Sequence, residues 1–317
     1  RCPRRCHRNG ARFVYTGMSV ATRRETLLDQ ETTRFATPDW LMLTGVALTW
    51  GASFLFIDIG LEHFAPTLVA FGRIAFGALT LSAFPAARRP VPRSEWPLIA
   101  AMGVTWMAIP FVCFAVAQQW IDSSLAGMIN AATPLFVALV AAGAVRQLPS
   151  RWQAIGLVVG FAGVVAISLP SVGDGSNALG IALVLLAAFL YGFAFNIAAP
   201  LQRRHGALPV IWRAQLVAVV LVLPFAIVGA TESSFGWGSL LAVVALGSLG
   251  TGLAFFWFTT LIGRVGSTRG SVAIYVVPVV AILLGAVLLD EAIHVAAVLG
   301  TALVLAGAYI TSRPRPG

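Results

Sequence analysis

Long, almost uncharged apolar runs recur along the chain, and they set the first limit on its fold. Each run is close to the roughly 20 residues that an α-helix needs to cross the hydrocarbon core of a bilayer. Segments rich in Pro, Gly, Ser and charge, such as ARRPVPRSEW and SVGDGSN, separate the runs. The pattern predicts an all-α integral membrane protein with ten transmembrane helices. The predicted spans are residues 40–60, 66–85, 97–117, 123–144, 152–170, 178–199, 209–230, 239–262, 269–289 and 293–311.

The charge content favours a membrane protein over a soluble one. Hydrophobic residues make up 58% of the 317 residues and charged residues only 10%, whereas soluble domains carry about 25% charged residues. A net charge of +9 could indicate nucleic-acid binding. All Lys and Arg positions are arginine, however, and most lie in the terminal segments or in the gaps between apolar runs. We therefore expect contact with membrane lipid and no nucleic-acid partner.

Arginine is concentrated in alternate gaps, which predicts the orientation of the chain. The arginine-bearing segments are marked by Arg24, Arg88, Arg146, Arg203, Arg264 and Arg313. The intervening gaps contain Glu62, Asp122, Asp174, Glu232 and Asp290. Because cytoplasmic loops of membrane proteins are enriched in Arg and Lys, both termini are predicted to be cytoplasmic, in a bacterial inner membrane. Residues 1–39 would then be a cytoplasmic, disordered arm and residues 312–317 a cytoplasmic tail.

The chain contains an internal repeat. A shift of 144 residues places Gly103 on Gly247, Pro134 on Pro278 and Gly163 on Gly307 without a gap. Matching Gly and Pro residues are informative because each constrains the backbone of a membrane helix. The two repeats are predicted at residues 40–170 and 178–311. Five spans is an odd number, so the halves would enter the membrane in opposite senses, an arrangement typical of secondary transporters.

The sequence resembles the EamA-domain branch of the drug/metabolite transporter superfamily. The resemblance rests on WGASF at 50–54, PTLVAFGR at 66–73 and IYVVPVVAILLGAVLLDE at 274–291, with INAATPLFVALVAAGAVRQ at 129–147 as the counterpart of the last. One departure is Gln147, where the family pattern commonly has Glu; its counterpart here is Glu291. The resemblance implies ten helices in two inverted five-helix repeats that carry small metabolites.

Several polar and aromatic residues within spans could line a substrate cavity. Arg73 is the sharpest candidate, because a charge deep in a span usually faces a partner or a watery cavity. It could bind an anionic substrate group, or it could be a structural Arg bonded to backbone carbonyls. The other candidates could equally serve helix packing. The full candidate set is Trp50, Ser53, Arg73, Asn130, Tyr191, Asn196 and Tyr275.

Two further pairs suggest coupling and movement. Asp58 and Glu62 lie one helical turn apart and could couple transport to a proton, although they could also be solvated interfacial charges. Pro134 and Pro278 could act as hinges, or as static kinks tolerated by neighbouring helices. Glu291 could stabilise the N-terminus of the tenth span electrostatically.

Together these patterns predict a secondary transporter, an exporter of small metabolites that works by alternating access between two inverted repeats. The alternatives are a membrane-embedded enzyme and a non-transporting scaffold. The sequence contains no HExxH, GxSxG or Walker-A pattern, so we expect no catalytic residues, no metal and no cofactor. The expected partners are a small-molecule substrate and membrane lipid, and the sequence is compatible with a homodimer.

Overall fold

A computed structural model describes residues 36–145, 151–168, 175–265 and 272–311, and all regular structure in these ranges is helical. Two 3-10 turns, Pro85–Arg88 and Arg93–Glu95, precede the third helix. The α-helices are α1 Thr37–Leu61, α2 Pro66–Ser82, α3 Trp96–Met102, α4 Ile109–Ala117, α5 Ser123–Asn130, α6 Thr133–Val145, α7 Arg151–Ser168, α8 Gly175–His205, α9 Ala207–Thr231, α10 Trp237–Ala245, α11 Ala254–Val265, α12 Val272–Leu288 and α13 Val295–Thr311.

Seven helical stretches are long and apolar enough to cross a membrane. Three shorter apolar helices accompany them, at Pro66–Ser82, Val276–Leu288 and Val295–Ile310. The all-helical, multi-pass prediction is confirmed, and the count of ten spans stays a prediction. The predicted arm at 1–39, apart from residues 36–39, and the predicted tail at 312–317 lie outside the described residues, as do Arg146 and Gln147.

Two π-helical segments interrupt long helical stretches, and each joins the α-helices on either side of it. The first π segment, Gly103–Ala108, connects α3 to α4, and the second π segment, Leu246–Leu253, connects α10 to α11. Such wider turns often occur at functional sites. The first segment packs against α9 and the second against α2.

The predicted fourth span is two helices rather than one. A tight turn at Ala131 and Ala132 separates α5 from α6, with the amide of Ala132 donating to the carbonyl oxygen of Ile129 at 3.0 Å. Pro134 lies in the first turn of α6, where its missing N–H removes no helical hydrogen bond. Pro278, by contrast, lies inside the continuous helix α12. The two prolines therefore sit in different backbone environments despite their matched sequence positions.

Helix pairs bring distant parts of the chain together. The helix α1 packs against α12, and α6 packs against α8. The pair α7 and α13 is the closest-packed, because glycines face each other across it. A Cβ on Gly163 would lie 2.6 Å from the carbonyl oxygen of Gly300, and one on Gly300 would lie 2.8 Å from that of Gly163. Small residues allow such contact between helix backbones in lipid.

Substituting Gly163 tests this glycine contact. The variant Gly163→Ala is expected to lose about 1–3 kcal/mol of stability, because the new methyl group would overlap the backbone of α13. Gly143→Ala is the matched control, since no atom lies within 4 Å of its Cβ position. Thermal unfolding in detergent, followed by tryptophan fluorescence, measures both variants. Equal melting temperatures for the two would contradict the contact.

Candidate functional site

The second π segment presents Thr251 to the interior of the bundle. The hydroxyl of Thr251 donates to the carbonyl oxygen of Leu246, five residues earlier, at 3.3 Å. Gly247 and Gly252 let this segment lie directly on α2, because any Cβ there would collide with Phe76 or Thr80. The side chain of Gln215, fully buried on α9, donates to the carbonyl oxygen of Thr251 at 3.0 Å. Thr251 is thus bonded both to its own π segment and to α9.

Arg73 lies in the middle of α2 and meets Thr251. Its Nε donates to the Thr251 hydroxyl at 3.1 Å, and its guanidinium carbon lies 3.8 Å from the centre of the Phe111 ring. Stacking on an aromatic face stabilises a guanidinium where water is scarce. Among the described residues, only the Nε of this guanidinium has a hydrogen-bond partner. Its remaining N–H donors could bind an anionic group in the fork geometry typical of arginine.

Aromatic rings surround this position and pack mainly edge to face. Trp106 bridges two helices, with ring centroids 4.7 Å from Phe195 and 5.4 Å from Phe255. Tyr191 lies 6.0 Å from Phe114 and interacts electrostatically with Arg73. We call this set the aromatic cluster. Its members are Trp50, Phe54, Trp106, Phe111, Phe114, Tyr191, Phe195 and Phe255.

The structure brings some of the predicted cavity residues together. Trp50 donates its indole N–H to the carbonyl oxygen of Gly250 at 3.0 Å, on the same π segment that holds Thr251. Ser53, one turn further along α1, is buried, faces Gly250 and donates to the carbonyl oxygen of Thr49. With Arg73 and Tyr191, these residues form one neighbourhood around the second π segment.

Other predicted residues lie elsewhere. Asn196 donates to the carbonyl oxygens of Val137 and Gly192, at 3.1 and 2.8 Å, and so ties α8 to α6. The carboxamide oxygen of Asn130 accepts from the Thr133 hydroxyl at 3.2 Å, next to the break between α5 and α6. The place of Asn130 and Asn196 in a substrate cavity stays a prediction. The backbone of Tyr275 belongs to α12, but its side chain lies outside the described part of the chain.

A polar cavity of about 390 Å³ opens at one end of the bundle, which we call the acidic end. We call this cavity the vestibule. Its lining comes from α1, from the connection between α4 and α5, and from the connection after α12. The lining residues are Asp58, Gln118, Gln119, Trp120, Ile121, Asp122, Leu289 and Glu291.

Within the vestibule, Glu291 binds the start of a helix from the other half of the chain. Its two carboxylate oxygens accept from the backbone amides of Ser123 and Ser124, at 2.7 and 2.9 Å. The carboxylate therefore caps α5, and its electrostatic effect on the tenth span stays a prediction. Partial burial, together with the negative charge of Glu291, raises the pKa of Asp122 above its ordinary value, while His294 acts in the opposite direction.

Only one residue of the predicted coupling pair lines the vestibule, although the two lie one helical turn apart and interact electrostatically. Asp58 is half-buried and lines the vestibule, whereas Glu62 is exposed at the end of α1 and does not line it. The described residues contain no group of three His, Cys, Asp or Glu side chains arranged to hold a metal ion.

The opposite end of the bundle, which we call the arginine end, is closed by ion pairs between distant helices. Arg264 pairs with Asp39 at 2.5 Å, joining α11 to α1. Arg204 and His205, at the end of α8, contact the Glu95 carboxylate at 2.7 and 3.1 Å. These pairs are partly exposed, so each contributes little to stability alone. They hold the two halves of the chain together at this end.

Sequence reasoning missed the residues that organise the site. Phe111, Thr251 and Gln215 carry no distinctive motif, and they acquire roles only through contacts across helices. The sequence contained one indication of the π segments. Gly103 starts the first segment, Gly247 lies in the second, and the two glycines align in the internal repeat.

The chain is similar to a known protein family and to a solved structure. The model of the EamA-like transporter family matches residues 39–169 and, a second time, residues 178–313. A solved crystal structure matches with a TM-score of 0.60 and 20% identity, covering 88% of this chain and 97% of that chain. At this identity the structural match shows a shared fold alone.

Three relatives illustrate the range of similar proteins. A transporter from Archaeoglobus fulgidus is 25% identical, over 87% of this chain and 99% of its own length. A protein of Streptantibioticus cattleyicolor, named as a probable terminal-alkyne amino-acid exporter, is 27% identical over 86% of this chain and 93% of its own. A Salmonella typhimurium protein, named as a probable amino-acid metabolite efflux pump, is 28% identical over 84% of this chain and 91% of its own length.

Removing the charge of Glu291 tests its contact with α5. Glu291→Gln is expected to cost about 1.5–3 kcal/mol, because an amide loses the charge and one of the two acceptors. Asp290→Asn is the control, since Asp290 has a φ of 53° and Asn tolerates that conformation. Thermal unfolding in detergent measures both. An unchanged melting temperature for Glu291→Gln would show that the carboxylate does not hold the helix.

Proposed function

Because the chain belongs to the EamA-like transporter family, we propose that it is a secondary transporter that exports a small metabolite across the bacterial inner membrane. The family and the names of its relatives indicate a transporter and not an enzyme. The observation that carries the proposal is the arginine in the middle of α2, stacked on Phe111 and bonded to Thr251 of the other half. A half-buried charge in the middle of a membrane helix is costly and typical of a substrate path.

We propose further that ten spanning helices form two inverted repeats. Support comes from reciprocal packing: α2 lies on the second π segment, as α9 lies on the first, and α1 packs on α12 as α6 does on α8. Residues 144 apart, such as Gly103 and Gly247, occupy the corresponding π segments. The double match of the family model to residues 39–169 and 178–313 agrees with a duplicated unit.

We propose alternating access between the two repeats. The arginine end is proposed to face the cytoplasm, as its basic residues favour, and its ion pairs close that side. The vestibule opens at the other side. The structure would then correspond to an outward-facing state, and the return to an inward-facing state would break the pairs at Asp39 and Glu95.

We propose an amino acid or a close derivative as the substrate class, in line with the names of two relatives. Arg73 would bind the carboxylate, and the rings of Trp50 and Tyr191 would contact the remainder of the solute. Stacking against aromatic rings tolerates varied side chains.

Export is tested with sealed proteoliposomes. Vesicles loaded with labelled amino acids, organic acids, amines or sugars are expected to release amino-acid solutes faster with the protein than without it. Vesicles containing heat-denatured protein serve as the control. If no solute of the panel moves faster than in protein-free vesicles, the proposed function is wrong.

Arg73 is tested in the same assay once a transported solute is found. Arg73→Ala should reduce transport by about 10- to 150-fold, because a charge-assisted bond contributes roughly 1.5–3 kcal/mol. Arg73→Lys should retain part of the rate, since it keeps the charge but not the planar fork. Arg213→Ala is the control, as Arg213 bonds the backbone carbonyls of Ala87 and Pro209. Wild-type rates for both Arg73 variants would remove it from the site.

A further inference from the structure

The vestibule contains a buried hydrogen-bond acceptor without a donor. Gln118 is 6% exposed, and its amide nitrogen donates to the carbonyl oxygen of Phe54 at 2.8 Å. That bond determines which end of the amide is oxygen, because a flipped amide would place two oxygens together. The remaining oxygen, Oε1, is buried and has no partner among the described residues. A buried acceptor left unpaired costs free energy, so it indicates a missing donor.

Two carboxylates lie among the polar groups around this oxygen, together with Gln119 and Trp120, which also have N–H donors. Asp58 and Asp122 line the same cavity, and both carry carboxylates. Glu291 adds negative charge, although its oxygens already accept from two backbone amides. The described lining contains no Arg or His. The cavity is therefore complementary to a small donor that carries positive charge.

The vestibule lies one helical turn from the aromatic cluster. Gln118 follows Phe114 by four residues, and Asp58 follows Phe54 by four, so each polar residue is about 5–6 Å beyond an aromatic one. Phe54 and Phe114 contact each other with ring centroids 5.7 Å apart, and both are buried. These two rings form the side of the aromatic cluster that lies nearest the vestibule. A solute that leaves the cluster past them would meet Gln118 and Asp58 next.

We propose that the vestibule is an exit subsite that binds the primary ammonium group of the transported solute through Asp58, Asp122 and the carboxamide oxygen of Gln118. This inference rests on the proposed function, and it deepens it by requiring an amine on the substrate. An ammonium has three donors and no acceptor, which suits a lining that contains two carboxylates and an unpaired carboxamide oxygen. The described carboxylates are not arranged as a metal site, which argues against a divalent cation. A cavity of about 390 Å³ accommodates a small organic amine.

Direct binding tests the subsite without requiring transport. Calorimetry on the full chain in lipid nanodiscs compares phenethylammonium with phenethyl alcohol, which has a similar shape and no charge. We expect phenethylammonium to bind about tenfold or more tightly than the alcohol, because charged hydrogen bonds are the stronger ones. Repeating the titration in sodium chloride and in choline chloride separates an organic ammonium from an inorganic cation.

Variants locate the bound group. Asp58→Asn and Asp122→Asn, both close in shape to the native residues, should each weaken phenethylammonium binding about tenfold. Glu232→Gln is the matched control, because Glu232 is an exposed carboxylate at the end of α9 and does not line the vestibule. It should bind as the native protein does. Size-exclusion profiles and melting temperatures show whether each variant is folded.

The outcomes separate this inference from the proposed function. Equal binding of the amine and the alcohol, unchanged binding in folded Asp58→Asn, or full displacement by sodium would overturn the ammonium subsite, even if the vesicles export amino acids. Selective amine binding that Asp58→Asn abolishes would support the subsite, even if no solute of the export panel moved.

Discussion

Every backbone polar group of a chain in hydrocarbon must find its hydrogen-bond partner within the protein, and this requirement shapes the whole molecule. It accounts for the helical structure of the described residues. It also explains where irregular backbone is allowed. The two π segments and the break between α5 and α6 lie among packed helices. There, side chains such as Gln215 bond the carbonyl groups that a wider turn displaces.

Glycine then decides how closely the helices approach. Without a hydrophobic driving force between helices in lipid, close contact of surfaces provides much of the association energy. Gly163 and Gly300 bring α7 and α13 into backbone contact, while Gly247 and Gly252 bring the second π segment onto α2. The second of these contacts has a chemical consequence. It places Thr251 against Arg73 and so anchors a charge inside the bundle.

Charge is distributed along the length of the bundle in three separate zones. Ion pairs join distant helices at the arginine end, a single guanidinium lies on an aromatic ring in the middle, and carboxylates surround the vestibule at the acidic end. The polar groups of the three zones differ in how exposed they are and in how much they need a hydrogen-bond or ion-pair partner. The arginines of the ion pairs reach water, although their carboxylate partners Asp39 and Glu95 are largely covered. The central arginine and the buried amide of Gln118 cannot remain unsatisfied without penalty.

The apolar runs by themselves determined that this chain is helical and multi-pass, because hydrophobic length is a local property of the sequence. They also singled out Arg73 and Trp50, since a charge or a large polar ring within a span is conspicuous. Only the tertiary structure decided which residues meet. Glu291 caps α5 and not its own neighbouring helix, Asn196 ties α8 to α6, and Asp58 and Asp122 come from distant segments to line one cavity with Gln118. Such contacts depend on how helices pack against one another, and no periodicity within a single helix encodes that packing.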